Sequence, residues 1–109
     1  MTTFHQDLTP KRWFKMSIFE QMANVGSEVF RTISWRERDK NLSEKAFWRA
    51  LELIDLTVDD PKNKKRLKEI LRAREALCDF FVGDNQYHST TESWNKYFYS
   101  FNYAARLHK

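Results

Sequence analysis

The strongest constraint on the fold is a set of large apolar residues that recur every three or four positions near the start of the chain. On an α-helix this spacing brings all of them to one face, which a folded protein buries. We therefore predict a first helix over residues 10–38, with Thr9 as its N-cap and Pro10 in its first turn. The predicted stripe comprises Phe14, Ile18, Met22, Val25, Val29 and Ile33.

Glycine and proline are too scarce for a fold that depends on many tight turns. The 109-residue chain holds only two of each, Gly26, Gly83, Pro10 and Pro61, whereas β-hairpins use such residues at most of their turns. The scarcity favours helices, and Gly26 in the middle of the first one indicates close approach by a neighbouring helix.

Apolar spacing and capping signals predict three further helices, over residues 42–58, 61–82 and 90–107. Their ends are marked by Asn41 with Glu44, Asp60 with Pro61, Gly83, and Ser89 with Glu92. Four amphipathic helices with short connections are typical of an antiparallel up-down-up-down four-helix bundle, so we predict an all-α single domain over residues 1–109. The predicted inner faces contain Ala46, Phe47, Ala50, Leu51, Ile54 and Val58, then Leu67, Ile70, Leu71, Leu77, Cys78 and Phe81, and finally Trp94, Tyr97, Phe98, Phe101, Ala104 and Ala105.

Three features of the composition favour the cytoplasm. The single cysteine, Cys78, cannot form an internal disulfide, and no apolar run approaches the roughly 18 residues of a membrane span. The first residues are too polar for a signal peptide. We therefore predict a protein of a reducing compartment without a membrane partner.

Positive charge is concentrated in one segment. Between Lys62 and Arg74 there are seven basic residues and one acidic residue, Glu69, whereas the whole chain has a net charge of only +4. Such a stripe can attract an anionic partner such as RNA, DNA or an acidic protein, although an ordinary solvated helix face has the same pattern. The cations predicted on the outer helix face are Lys64, Lys65, Lys68 and Arg72.

Large apolar side chains also fall outside the predicted core, and they indicate contacts between copies of the chain. A strip of Phe19 and Phe30 lies beside the first stripe, and Trp48 and Leu56 project from the second helix away from its core face. In the last helix Tyr99 and Tyr103 are flanked by Lys96 and Arg106. This group suits base stacking in single-stranded nucleic acid, and it equally suits a protein interface, where Tyr and Arg are enriched.

Arg74 falls within the apolar stripe of the third helix, where an unpaired guanidinium would be costly to bury. It therefore needs a carboxylate partner, which either forms a structural ion pair or belongs to an anion or nucleotide site between helices. The candidate partners are Glu28, Glu52 and Asp55.

Motifs for catalysis or metal binding are weak. His88 and Ser89 are neighbours but have no third member nearby in sequence, and Cys78 lies on an inner face. No Glu-x-x-His pair is present, and Asp55, Asp59 and Asp60, although carboxylates could serve as metal ligands, are explained more simply by the end of one helix and the cap of the next. The three histidines are scattered at His5, His88 and His108. We therefore predict no enzymatic activity, no metal and no cofactor.

The basic third helix and aromatic fourth helix resemble the layout of the group formed by the 23S rRNA intervening-sequence protein and the accessory protein of diversity-generating retroelements. This resemblance of layout covers most of the chain and implies ring assembly and a basic contact surface, but it assigns no residue a role. The HEPN domains are a second helical family, whose nucleases carry Arg four to six residues before His, and none of the three histidines here follows an arginine at that spacing.

Together these features predict a non-enzymatic, self-associating helical-bundle protein that acts as a binding or adaptor module, with RNA or DNA as its ligand through the basic face. The alternative is a subunit that binds only protein, for example as the partner of a nucleotidyltransferase.

Overall fold

The computed structural model describes residues 10–107, and within that range every regular element is a helix. The elements are α1 (Pro10–Trp13), α2 (Ile18–Trp35), α3 (Lys40–Asp59), a 3₁₀ helix (Pro61–Arg66), α4 (Leu67–Val82) and α5 (Thr91–Leu107). The all-α class predicted from the sequence is confirmed for this part of the chain. None of these helices is both long enough and apolar enough to cross a membrane.

The first predicted helix is divided in two. Trp13 ends α1 and is fully buried, and the chain leaves the helix before α2 begins. Ser17 caps α2 in a capping box: its hydroxyl accepts the Glu20 N–H at 3.1 Å, and the Glu20 carboxylate accepts the Ser17 N–H at 3.4 Å. Phe14 therefore lies in the connection and not on the stripe. The predicted N-cap, Thr9, lies outside the described residues.

The start of α3 also differs from the prediction. Asp39, and not Asn41, is the N-cap, and its carboxylate accepts the N–H groups of Asn41 and Leu42. Ser43, in the first turn, donates to the Thr32 carbonyl at 2.7 Å and so joins α3 to α2. The helix consequently begins two residues earlier than predicted.

The predicted third helix changes type along its length. Residues 61–66 form the 3₁₀ helix, which Asp60 caps as predicted, and the α-helical part starts only at Leu67. Leu71, predicted in the core, is 45% exposed because it lies about 100° round α4 from the buried Ile70. Ala73 is buried instead. Gly83 follows the end of α4, as predicted.

Helix α5 packs closely against α2 at Gly26, as the glycine indicated. A Cβ atom at Gly26 would lie only 2.7 Å from the Cβ of Phe98. The cap of α5 lies one residue later than predicted: Thr90 and Ser93 exchange hydrogen bonds of 2.9 Å between each backbone N–H and the other hydroxyl. The aromatic side chains of α5 then continue the core.

The core draws on every helix. Helix α2 lies against both α3 and α5, and α4 lies against α3. The buried apolar side chains include most of the predicted ones together with Trp13, Leu53 and Ala73, and they are Trp13, Met22, Val25, Val29, Ala46, Phe47, Ala50, Leu51, Leu53, Ile54, Ile70, Ala73, Leu77, Trp94, Phe98 and Phe101.

Candidate functional site

The positively charged segment separates into cations with intramolecular partners and cations without them. Lys62 pairs with Asp60 and donates to the Phe14 carbonyl at 2.7 Å. Arg66 lies 3.8 Å from the Glu69 carboxylate and over the ring of Phe19. These cations hold the fold together and are only partly available to a ligand.

The four cations predicted to bind nucleic acid are all exposed, and none forms an ion pair with another residue of the described chain. Lys64 and Lys65 lie on the 3₁₀ helix, whereas Lys68 and Arg72 lie on α4. They therefore do not form the one continuous α-helical stripe that the sequence pattern implied. We call these four residues the basic surface.

The fold brings the connection after α1 to the 3₁₀ helix, which sequence spacing alone did not indicate. The contact of Lys62 with the Phe14 carbonyl places the connection after α1 against the 3₁₀ helix. The neighbouring Lys11 and Lys15 are exposed. The lysines at positions 11 and 15 were visible in the sequence, but nothing there related them to a segment about fifty residues away.

A buried hydrogen-bond network holds α1 and the 3₁₀ helix in these positions. Gln21 on α2 donates to the Trp13 carbonyl at 3.0 Å and to the Asp60 carboxylate at 2.8 Å. Asn63 donates to the side-chain oxygen Oε1 of Gln21 at 2.8 Å and to the backbone carbonyl of Thr57 at 3.0 Å. The indole N–H of Trp13 reaches the Thr57 hydroxyl at 3.0 Å. We call these five residues, Trp13, Gln21, Thr57, Asp60 and Asn63, the anchoring network.

Asp60 is the charged member of the anchoring network and is only 3% exposed. Burial by itself would raise the pKa of its carboxyl, but the hydrogen bonds from Lys62 and Gln21 outweigh burial and hold the pKa below its ordinary value. Asp60 is therefore ionised at neutral pH, and its charge is balanced by Lys62.

Arg74 has a partner within the fold. Its guanidinium donates two hydrogen bonds to Asp55, at 2.8 and 3.3 Å, and the bond to Asp55 raises the pKa of Arg74. Asp55 was one of the three candidate partners, whereas Glu28 pairs with Arg31. Both members of the Arg74 pair are partly exposed. Arg74 thus lies at the edge of the apolar stripe, and this is the geometry of a structural ion pair.

The predicted apolar strips are only partly exposed. Phe30 and Trp48 are 60% and 54% exposed, in keeping with the prediction for these two. Phe19 and Leu56 are half-buried and pack against the core, so the premise that they form exposed strips was wrong. The guanidinium of Arg66 also covers the Phe19 ring, at 5.7 Å from its centroid.

The exposed residues predicted on the last helix all face solvent on α5: Tyr99, Tyr103, Lys96 and Arg106. The structure brings Tyr99 together with Phe30, because both line a groove between α2 and α5. Sequence reasoning had placed these two residues on separate surfaces, since the pairing of α2 with α5 is a tertiary contact.

The loop with His88 and Ser89 is held by local hydrogen bonds. The Asn85 side chain bonds both the N–H and the carbonyl of Ser89, at 2.8 and 2.9 Å, and the Asp79 carboxylate accepts the N–H groups of Gln86 and Tyr87. Within residues 10–107 no group of three or more His, Cys, Asp or Glu side chains could hold a metal ion. Cys78 is half-buried against the core, and His5 and His108 lie outside the described residues.

The described chain is thus all-helical, with an exposed basic surface formed by the 3₁₀ helix and α4. Comparison with protein-family models, with curated proteins and with solved structures finds no match for it.

Proposed function

We propose that this chain is a non-enzymatic helical-bundle protein of the cytoplasm that self-associates and binds nucleic acid through its basic surface. The observation that carries the proposal is the separation of cations described above. Phosphate oxygens are bound by Lys and Arg side chains that are exposed and not already neutralised. The basic surface meets both conditions.

The bundle in this proposal has the antiparallel up-down-up-down order. Two contacts support it. Arg36, just after α2, donates to the Phe80 carbonyl near the end of α4, and Arg66, just before α4, lies over Phe19 at the start of α2. Helices α2 and α4 thus run in the same direction, with α3 returning between them. Helix α5 supplies the fourth member by packing on α2.

Self-association is supported by the two side chains of the predicted oligomer interface that are exposed. Phe30 and Trp48 lie on different helices, α2 and α3. Burying an exposed aromatic side chain against another chain removes apolar surface from water, which favours association.

The proposal is tested by reversing charge on the basic surface. We expect Lys65→Glu with Lys68→Glu to weaken binding of a mixed-sequence RNA and of duplex DNA at least about tenfold at low salt, because phosphate contacts are lost and repulsion is added. The salt dependence of the remaining binding should also become shallower. Fluorescence anisotropy of labelled nucleic acid over a salt series measures both.

The matched control is Lys40→Glu with Lys45→Glu, which changes the net charge equally at two exposed positions of α3. Equal loss in both double variants would mean that only net charge matters and would contradict a defined basic surface. No binding by the unaltered protein at low salt would remove the nucleic-acid function and leave a subunit that binds only protein. Light scattering of the same samples should give a mass above that of one chain, and a monomer would contradict self-association.

A further inference from the structure

A surface groove of about 540 Å³ lies between α2 and α5. Gly26 and Phe98 line it at the point where the two helices approach most closely. Phe30 and Tyr99 line it from opposite helices, and both are about 60% exposed. The two exposed aromatic rings in this concave site offer surfaces on which a planar group can stack.

We propose that this groove binds an unpaired base of single-stranded nucleic acid, an inference that rests on the nucleic-acid binding proposed above. Bases that are not held in a duplex stack on exposed aromatic side chains, and this interaction tolerates any sequence because every base has a π-face. Neither Phe30 nor Tyr99 stacks on another aromatic ring within residues 10–107, so the exposed part of each ring can receive a base.

The polar lining of the groove also fits a nucleotide. Asn95 and Asn102 present amide groups with no hydrogen-bond partner in the described chain, and amides bind base edges through paired donors and acceptors. Arg31 gives one N–H to Glu28 at 2.5 Å and keeps other donors for a phosphate. A contact between two apolar protein surfaces would leave these polar groups without partners.

The groove lies within reach of the basic surface. Arg72 lines a separate hollow of about 320 Å³ together with Trp94 and Tyr97, on the side of α5 that faces α4. The groove lies on the side of α5 that faces α2, so only the width of one helix, about 10 Å, separates the two. A single strand that contacts the basic surface can therefore cross α5 and place a base in the groove. Lys96 and Arg106, exposed on α5, provide cations along that path.

The test compares three probes of equal length: oligothymidylate, an abasic deoxyribose-phosphate chain, and a DNA duplex. We expect Tyr99→Ala and Phe30→Ala each to weaken oligothymidylate binding by between about 5-fold and about 150-fold, the range for loss of one stacked base. Binding of the abasic chain and of the duplex should stay within about twofold of the unaltered protein, because those probes use phosphate contacts. Tyr99→Phe, which keeps the ring, should restore binding.

Val82→Ala is the matched control, since it removes exposed apolar surface at the end of α4, away from the groove and from the residues proposed for self-association. Circular dichroism and thermal melting confirm that the variants are folded, as expected for exposed positions. The inference is overturned if the unaltered protein binds the abasic chain as tightly as oligothymidylate, or if the groove variants bind oligothymidylate normally. It is also overturned if those variants lower the particle mass in light scattering but leave oligothymidylate binding unchanged, because the groove would then be a contact between copies of the chain. Failure of all three probes to bind would instead overturn the proposed function itself.

Discussion

Gly26 shows how one residue sets the distance between two helices. A glycine in the middle of a long helix costs stability relative to alanine, so its presence there indicates that a side chain does not fit. That much could be read from the sequence. The identity of the opposing residue, Phe98, could not, because nothing in the local pattern relates a position on α2 to one on α5. Arg74 is similar: the need for a carboxylate was predictable, but the choice of Asp55 among three candidates required the fold.

We expect Gly26→Ala to destabilise the protein. The added Cβ would lie 2.7 Å from the Cβ of Phe98, so one helix must shift, and overpacking of this kind costs about 1–3 kcal/mol. The better helix propensity of alanine returns about 1 kcal/mol, so from the middle of that range we expect a net loss of about 1 kcal/mol. Urea denaturation of both proteins measures this loss in the free energy of unfolding.

Ser27→Ala is the control for Gly26→Ala, since it changes the adjacent, exposed position and should alter the free energy of unfolding by less than about 0.5 kcal/mol. A Gly26→Ala protein as stable as the unaltered one would show that α2 and α5 are not packed at this distance.

At the scale of the element, the helices were predictable but several of their ends were not. Apolar spacing indicated one helix from residue 10 to residue 38. Phe14 and Ile18 keep the helical spacing although the chain leaves the helix between them, so spacing alone does not reveal the break. The signal for the break, Ser17 followed three residues later by Glu20, was present in the sequence. A capping box is only a local preference. Here it coincides with the start of α2, because Trp13, on the other side of the break, is buried in the core.

The capping box gives a prediction for α2. Ser17→Ala removes the hydroxyl that accepts the Glu20 N–H, so we expect it to lower the free energy of unfolding by about 0.5–2 kcal/mol. In the variant, amide hydrogen exchange in the first turn of α2 should be faster than in the unaltered protein, and this acceleration should be larger there than in the middle of α2. Ser34→Ala, at an exposed position near the other end of α2, tests whether any serine of the helix would have the same effect. Equal losses in the two variants would argue against a capping role for Ser17.

At the scale of the whole molecule, the candidate site depends on contacts that join distant segments. Lys64, Lys65, Lys68 and Arg72 could be predicted because they are close in sequence and strongly charged. The anchoring network could not, because Gln21, Thr57 and Asn63 are residue types that usually lie on the surface, and no local pattern indicates that the fold buries them. This network joins α1, which contains Lys11, to the segment that carries the 3₁₀ helix, and it thereby fixes the relative positions of two basic parts of the chain.

Asp60 makes the anchoring network sensitive to acid, and the direction of the effect follows from its pKa. A carboxyl whose pKa is lower in the folded state stabilises the fold above its unfolded pKa, here near 3.8, and loses that contribution as the pH falls through the lower, folded value. At neutral pH we expect Asp60→Asn to cost about 2–3 kcal/mol, the loss expected for hydrogen bonds to a buried charge. As the pH falls from the unfolded pKa through the folded one, the unaltered protein should lose this stabilisation, and its free energy of unfolding should approach that of the variant.

Urea denaturation of both proteins over a pH series measures that difference, and Asp59→Asn supplies the matched control because Asp59 is exposed at the adjacent position. The control should follow the pH profile of the unaltered protein. If the difference between the unaltered protein and Asp60→Asn stayed constant into the acid range, the ionised carboxylate would not be what stabilises the network. Because Asp60 meets Gln21 from α2 and Lys62 from the 3₁₀ helix, a difference that narrows in acid would identify one buried charge as a link between segments that are far apart in the chain.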